Sequence, residues 1–216
     1  MSSVITDELM EMLSARGARE AEVARALLTE NPNLGITAYV IAGDVISAER
    51  ATEMVKDGVP AAKALNLIGS YARFQWAVDN LPRKVLLKML PRLWSGADPD
   101  DTKPEYLELW YEAWNSNCQG AVYDDGRNEL PWGELTIFRG QSMASPVGIS
   151  WTLDRGVARK FAFTGGGRGR ISDGVILTGR VMAGAVLAYI TGRNESEVIA
   201  DPENVTVVRR QRVSAL

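Results

Sequence analysis

The sequence predicts an α+β protein with a helical N-terminal part followed by a compact, β-rich part. Up to residue 117, apolar residues recur at three- and four-residue spacing, which is typical of helices that bury one face. Beyond it, short runs rich in Val, Ile and Thr alternate with turn-forming Gly, Asp and Asn, which is typical of strands. Helices first and strands second favour an α+β arrangement. We therefore expect two regions, residues 1–130 and residues 131–216.

Six helices are predicted in the first region. The first contains a stripe of Ile5, Leu9 and Leu13 and ends at Gly17. The others are expected at residues 19–29, 36–55, 60–76, 82–93 and 105–114. Aspartate, glycine and proline between the last two predict a loop over residues 95–104.

Six strands and one helix are predicted in the second region. The strands are expected at residues 135–139, 147–152, 174–182, 186–190, 195–200 and 205–210. The helix spans residues 154–163, with Asp154 as its N-cap. Its buried stripe is expected to consist of Val157, Ala158, Phe161 and Ala162.

The composition excludes several classes of enzyme. The 216 residues include no histidine, which excludes Ser-His-Asp hydrolases, Cys-His proteases and histidine-ligated metal sites. The single cysteine, Cys118, cannot form an internal disulfide or a zinc cluster. Any catalysis is therefore left to carboxylates, hydroxyls, arginines, lysines or a bound cofactor.

Location and partners are constrained by the same composition. The first residues lack the basic start and apolar run of a signal peptide, and no uncharged apolar run reaches the length of a membrane span. We therefore expect a cytoplasmic protein without a membrane partner. The net charge of −3 argues against general nucleic-acid binding.

Charge differs between the two regions. Residues 1–130 contain 13 basic and 20 acidic side chains, whereas residues 131–216 contain 11 and 7. Every basic residue of the second region except Lys160 is arginine, whose planar guanidinium suits phosphate and carboxylate groups. This favours an anionic ligand in the second region, although solvated surfaces of unequal charge explain the asymmetry equally well.

An arginine interrupts the first predicted strand of the second region. Alternate residues of a strand share a face, so Arg139 shares one with Leu135 and Ile137. If those two residues face the core, the guanidinium of Arg139 requires an anionic partner or a water-filled cleft. The alternative is an arginine that turns to solvent at a strand end.

Two further strands carry polar pairs. Ser150 and Thr152 share one face, and their hydroxyls can orient a carboxylate or hold a ligand hydroxyl, although such residues are also routine in strands. Glu195 and Glu197 share one face of a later strand, where mutual repulsion would raise one pKa. Paired carboxylates suit glycosyl transfer, whose transition state is cationic. A solvated strand end is again the alternative.

The order of these features resembles the mono-ADP-ribosyltransferases of the cholera-toxin-like group. The matching segments are Phe138-Arg139-Gly140, Ser150-Trp151-Thr152 with Arg159-Lys160-Phe161-Ala162 behind it, and Glu195-Ser196-Glu197-Val198-Ile199. The resemblance covers residues 134–210 and is to small members from bacteriophages and bacterial effectors. If a phage encodes the chain, the resemblance implies the host cytoplasm as its location and a host protein as its target. Trp151 stands where the family often has Thr, and Thr152 where it has Ser. The related diphtheria-toxin-like group uses a histidine that this chain lacks.

The resemblance implies an ADP-ribosyltransferase-like core, NAD as co-substrate and no metal. Arg139 would hold the phosphates or the adjacent ribose, and the backbone of Gly140 would bind the nicotinamide carboxamide. Ser150 would fix the rotamer of Glu197, and Thr152 would support that strand. Residues 164–173 would form a loop over phosphate and nicotinamide, or simply a surface connection.

The two glutamates would have separate roles in that family. Glu197 would bond the ribose 2′-hydroxyl and stabilise the cationic sugar as nicotinamide leaves. Glu195 would engage the acceptor, a protein arginine, with residues 189–194 as the recognition loop. The helical region would support the NAD cleft or select the target.

Three other functions stay open from the sequence. An NAD glycohydrolase would pass the sugar to water instead of a protein. A catalytically silent interaction module would keep the fold without the chemistry, and a structural protein would use its helical part for assembly.

Overall fold

The computed structural model of the chain describes residues 18–30, 37–97, 99–124, 130–165 and 171–213. The chain divides into two compact units, Met1–Leu86 and Leu87–Leu216, here called the helical unit and the sheet unit. This division lies N-terminal to the predicted boundary at residue 131. Trp94 and Tyr111 hydrogen-bond to residues 197 and 201, which explains why residues 87–130 group with the sheet. The functional division at residue 131 stays a prediction.

The described part of the helical unit contains three longer helices and one short one. They are α1 (Ala18–Glu30), α2 (Thr37–Lys56), α3 (Ala61–Ala64) with a 3₁₀ turn at Leu65–Leu67, and α4 (Ser70–Asn80). The helices predicted at residues 19–29 and 36–55 are confirmed. The helix predicted to end at Gly17 lies outside the described residues.

The single helix predicted over residues 60–76 is wrong, because the chain breaks at Ile68 and Gly69. Ile68 has an extended backbone, with φ −90° and ψ 131°. The guanidinium of Arg73 donates to the Ile68 carbonyl through Nε and Nη2, at 2.8 and 2.6 Å, and so satisfies an acceptor that a continuous helix would use. A Cβ on Gly69 would overlap the carboxylate of Asp44. The break is therefore held by the nearby Arg73 side chain and by the close approach of Asp44 from α2 to Gly69.

Two helices precede the sheet. Helix α5 spans Arg83–Ala97, across the division between the units, and α6 spans Pro104–Ser116. They confirm the helices predicted at residues 82–93 and 105–114. The loop predicted over residues 95–104 is wrong at its ends, because residues 95–97 belong to α5 and Pro104 begins α6. Within the described residues, no helix is both long and apolar enough to cross a membrane.

A mixed seven-stranded sheet follows, in the order β1-β5-β6-β3-β2-β4-β7. The strands are β1 (Val122–Tyr123), β2 (Glu134–Ser142), β3 (Ser150–Thr152), β4 (Gly174–Met182), β5 (Val186–Ile190), β6 (Glu197–Ala200) and β7 (Thr206–Arg212). β1 runs parallel to β5, and the other pairs are antiparallel. The α+β class is confirmed, the predicted bounds of β4 and β5 match, and β1 was not predicted.

Helix α7 (Arg155–Thr164) packs against the sheet. Asp154 caps it by accepting a hydrogen bond from the Gly156 N–H at 2.6 Å, as predicted. Ala158 and Ala162 are buried against Ile176, whereas the other two residues of the predicted stripe are only half-buried. A separate core cluster contains Leu135, Ile137, Trp151, Leu177, Val198 and Ala200.

Candidate active site

Strands β2, β3 and β6 border a cavity of about 560 Å³, a size typical of small-molecule sites. β3 joins the other two strands, since Thr152 lies opposite both Phe138 of β2 and Glu197 of β6. The cavity wall includes all six residues that the sequence singled out. These are Arg139, Gly140, Ser150, Thr152, Glu195 and Glu197. Their roles stay predictions.

Glu197 is a buried carboxylate, only 9% exposed. Its Oε1 accepts hydrogen bonds from the Ser150 hydroxyl at 2.5 Å and from the Trp94 indole N–H at 2.9 Å. Both hydrogen bonds that it accepts from the described residues fall on Oε1, so Oε2 keeps its acceptor capacity beside the cavity.

Burial raises the pKa of Glu197 above its usual range. The hydrogen bonds from Ser150 and Trp94 lower this pKa, and so does the positive charge of Arg193, but burial outweighs them. The negative charge of Glu195 raises the pKa as expected for a carboxylate pair, yet its contribution is smaller than that of burial.

Arg139 has the anionic partner that its strand position requires, and its side chain is only 12% exposed. Nη1 donates to Asp101 and to the Ser150 carbonyl, the latter at 2.7 Å. Nη2 donates to Asp101 Oδ1 at 3.0 Å, and Nε donates to Gln141 Oε1 at 2.7 Å. Four of its five N–H groups therefore have hydrogen-bond partners among the described residues.

The strand register places Arg139 and Glu197 on opposite faces of the sheet. Directly opposite residues share a face, so Phe138, Thr152 and Glu197 lie on one face, and Arg139, which follows Phe138, lies on the other. The two functional groups nevertheless meet at Ser150, whose carbonyl accepts from Arg139 and whose hydroxyl donates to Glu197. Their convergence depends on this shared neighbour, not on a common strand face.

Glu195 borders the same cavity, but it lies outside a strand. β6 begins at Glu197, and Ser196 has φ 46°, in the left-handed region that breaks strand alternation. The strand predicted over residues 195–200 is therefore wrong at its first two residues. The Thr152 hydroxyl donates to the Glu195 carbonyl at 2.5 Å, and the Glu195 carboxylate pairs with Arg193 at 3.1 Å.

The packing of α7 against β2 requires a glycine at position 140. A Cβ at this position would overlap the Ala158 carbonyl oxygen and the Ala162 amide nitrogen of α7. The glycine therefore allows α7 to approach β2 closely, and this requirement alone explains the residue.

The two predicted loops differ in how far the structure describes them. Residues 166–170 of the loop at 164–173 lie outside the described residues. The loop predicted at residues 189–194 begins only at Thr191, because Tyr189 and Ile190 are buried in β5. The Asp124 carboxylate accepts from the N–H groups of Thr191 and Gly192 at 2.9 and 2.6 Å, which fixes the start of this loop.

Three side chains of the cavity wall that hydrogen-bond to predicted site residues were not themselves predicted: Trp94, Asp101 and Gln141. Gln141 shares strand parity with Arg139, so it could have been found. Trp94 fits an ordinary apolar helix stripe, and Asp101 is one of several acidic residues in a loop. No signal in the sequence distinguishes Trp94 from other apolar helix residues, or Asp101 from the other acidic residues of its loop.

In the described ranges, no group of three or more Cys, Asp or Glu side chains is arranged to hold a metal ion. Comparison of the chain with protein-family models, curated proteins and solved structures gives no match. The site geometry and the motif resemblance are therefore the grounds for a function.

Proposed function

We propose that the protein is a mono-ADP-ribosyltransferase that cleaves NAD and transfers ADP-ribose to a protein acceptor at arginine. The sheet unit would supply an ADP-ribosyltransferase-like core. One observation carries this proposal: the buried Glu197 carboxylate is oriented through Oε1 by Ser150 and Trp94 and keeps Oε2 for a ligand. A carboxylate held in this way suits a reaction in which positive charge develops beside it.

Glu197 would act at the ribose adjoining nicotinamide. Oε2 would accept a hydrogen bond from the 2′-hydroxyl while the C1′–N bond breaks and nicotinamide leaves with the bonding electrons. The sugar then carries positive charge, as in glycoside cleavage. Stabilisation by Glu197 accelerates the reaction because it is stronger in the transition state than in bound NAD, and burial strengthens it by excluding water.

Glu195 would bind the acceptor. Its carboxylate already contacts a guanidinium, that of Arg193, at 3.1 Å, and an acceptor arginine offers the same group. With the acceptor in place, Glu195 would take a proton from the guanidinium nitrogen as that nitrogen attacks C1′. The contact with Arg193 is the observation that favours arginine as the acceptor.

Incubation of the protein with labelled NAD and a cell lysate tests the proposal. The wild-type protein should release nicotinamide and label a protein, whereas Glu197→Gln should do neither at a comparable rate. Glu134→Gln is the matched control, because Glu134 is 54% exposed in a surface pair with Arg180. Nicotinamide release without labelled protein would identify a glycohydrolase. Absence of both release and NAD binding in calorimetry would indicate a silent module and overturn the proposal.

A further inference from the structure

Asp101 lies in the loop between α5 and α6 and contacts two residues of the candidate site. Its Oδ1 accepts from Arg139 Nη2 at 3.0 Å. Its Oδ2 accepts from Arg139 Nη1 and from the Ser150 N–H, the latter at 2.9 Å. The Asp101 side chain is 16% exposed, so these are charge-assisted bonds in a largely dry environment.

The backbone also holds Asp101 in this position. The Ile149 N–H donates to the Asp101 carbonyl at 3.1 Å. A Cβ on Gly148 would overlap the Asp101 carboxylate, so a glycine at 148 allows the two segments to approach. Asp101 is therefore fixed against residues 148–150 by backbone contacts as well as by its charge.

We propose that Asp101 is a positioning residue that acts on Glu197 through Ser150. Asp101 binds the N–H of Ser150 and Arg139 binds its carbonyl, while Asp101 and Arg139 bind each other. These contacts fix both backbone polar groups of Ser150, whose hydroxyl then donates to Glu197 at 2.5 Å. In its kinetic consequences the proposal rests on the function proposed above.

A different role for Asp101 predicts the opposite result. If Asp101 merely filled the arginine site until an anionic ligand displaced it, removing its charge would strengthen the binding of NAD and of inorganic pyrophosphate. If Asp101 positions Ser150, removing its charge slows the reaction and leaves NAD binding nearly unchanged. The effects of the substitution on kcat and on KM for NAD therefore distinguish the two roles.

Asp101→Asn tests the proposal, because it keeps the side-chain shape and removes the charge. We expect kcat to fall about 10- to 100-fold, the scale of one hydrogen bond to a charged group, with KM for NAD changed less than about threefold. Asp101→Asn combined with Ser150→Ala should lose no more activity than Ser150→Ala alone, because both changes act on one contact. Additive losses, or a lower KM in Asp101→Asn, would overturn the proposal.

An NMR titration of the Glu197 carboxyl carbon tests the same link without any activity. The Ser150 hydrogen bond lowers the pKa of Glu197, so Ser150→Ala should raise it. Gly148→Ala, which displaces the Asp101 carboxylate and keeps its charge, should raise it as well. An unchanged pKa in Gly148→Ala would contradict the proposal. If the wild-type protein releases no nicotinamide, the proposed function fails, while this titration still decides whether Asp101 acts through Ser150.

Two variants distinguish an effect on Glu197 from a general loss of folding. Gly148→Ala forces the Asp101 carboxylate to shift without removing its charge, so it should raise the pKa of Glu197 in the same direction. Glu134→Gln removes an exposed carboxylate from β2 and should leave both kcat and the pKa of Glu197 unchanged. Thermal denaturation of each variant establishes that it is folded at the temperature of the assay.

Discussion

The helical unit and the sheet unit differ in what they bury. In the described residues of the helical unit, every buried side chain is apolar, for example Ile41, Phe74 and Leu86. The described part of the sheet unit buries four polar or charged side chains: Gln141, Thr152, Glu197 and Asp201. Burial of polar groups is costly unless they are hydrogen-bonded. The polar side chains buried in the sheet unit therefore need hydrogen-bond partners, whereas the apolar ones buried in the helical unit do not.

The location of the buried polar groups explains the difference. Gln141, Thr152 and Glu197 border the cavity. The fourth, Asp201, accepts a hydrogen bond from the Tyr111 hydroxyl at 2.6 Å; burial and this carboxylate raise the pKa of Tyr111 to about 12. Among the described residues, polar burial in the sheet unit therefore concentrates at the candidate site.

Ion pairs show the same contrast. The pairs of Arg19 with Glu22 and of Lys56 with Glu53 in the helical unit are exposed by 60% or more on both sides. Such pairs contribute little to stability, because water screens the two charges. The pair of Arg139 with Asp101 is only 12% and 16% exposed. Breaking it leaves a charge without its partner, which is strongly destabilising in a buried environment.

Glu197→Gln is expected to have the largest effect on activity. The loss of its negative charge should slow nicotinamide release by about 10²–10³, by comparison with the removal of a preorganised group that stabilises transition-state charge. Rates measured at saturating NAD check this. A rate within a few-fold of the wild type would show that the Glu197 carboxylate does not act in the reaction. The burial of polar groups in the sheet unit would then have no catalytic explanation.

The same variant is expected to change the pH dependence of stability. The pKa of Glu197 is raised in the folded state, so the folded protein binds the proton more tightly than the unfolded chain does. Stability then falls as pH rises from the ordinary pKa of 4.5 through the raised folded value. Glu197→Gln should lack this fall and exceed the wild type in melting temperature at neutral pH, an advantage that shrinks towards pH 4. Thermal denaturation across this range tests the sign.

Gly140→Ala should destabilise the sheet unit by about 1–3 kcal/mol, the usual cost of overpacking, because its Cβ would meet the backbone of α7. Gly184→Ala is the matched control, since a Cβ there meets no atom within 4 Å. Urea denaturation of both variants gives the comparison. Equal stability of the two would show that α7 can move away from β2.

Trp94→Phe should slow the reaction about tenfold near neutral pH, the scale of one hydrogen bond to a charged group. It removes the indole N–H that lowers the pKa of Glu197, so the acidic limb of the pH–rate profile should shift to higher pH. Trp110→Phe is the matched control, because within the described part of the chain the buried Trp110 N–H has no hydrogen-bond partner. An identical shift in both variants would trace the effect to packing alone.

Gly43→Ala should have the smallest effect and the opposite sign. Gly43 lies inside α2, and a Cβ there meets no atom within 4 Å. Alanine should therefore stabilise the helical unit by about 0.5–1 kcal/mol without changing nicotinamide release. Denaturation and rate measurements on this variant check both parts, and a loss of activity would show that the helical unit is coupled to the chemistry.

Local patterns in the sequence determined much of the fold. Apolar spacing located α1, α2 and α7, and β-favouring runs between turn residues located β4 and β5 with their bounds. These elements follow from periodicity and capping within one short segment. Strand parity also predicted that Arg139 needs an anionic partner or a water-filled cleft if Leu135 and Ile137 face the core.

Only the tertiary structure decided which residues complete the site. Asp101 reaches Arg139 across 38 positions of sequence, and Trp94 reaches Glu197 across 103. The break at Ile68 and the left-handed Ser196 likewise correct predictions made from local spacing. Helix and strand periodicity describes which side of its own element a residue occupies. The partner that it meets there depends on how distant elements pack, and no local pattern encodes that.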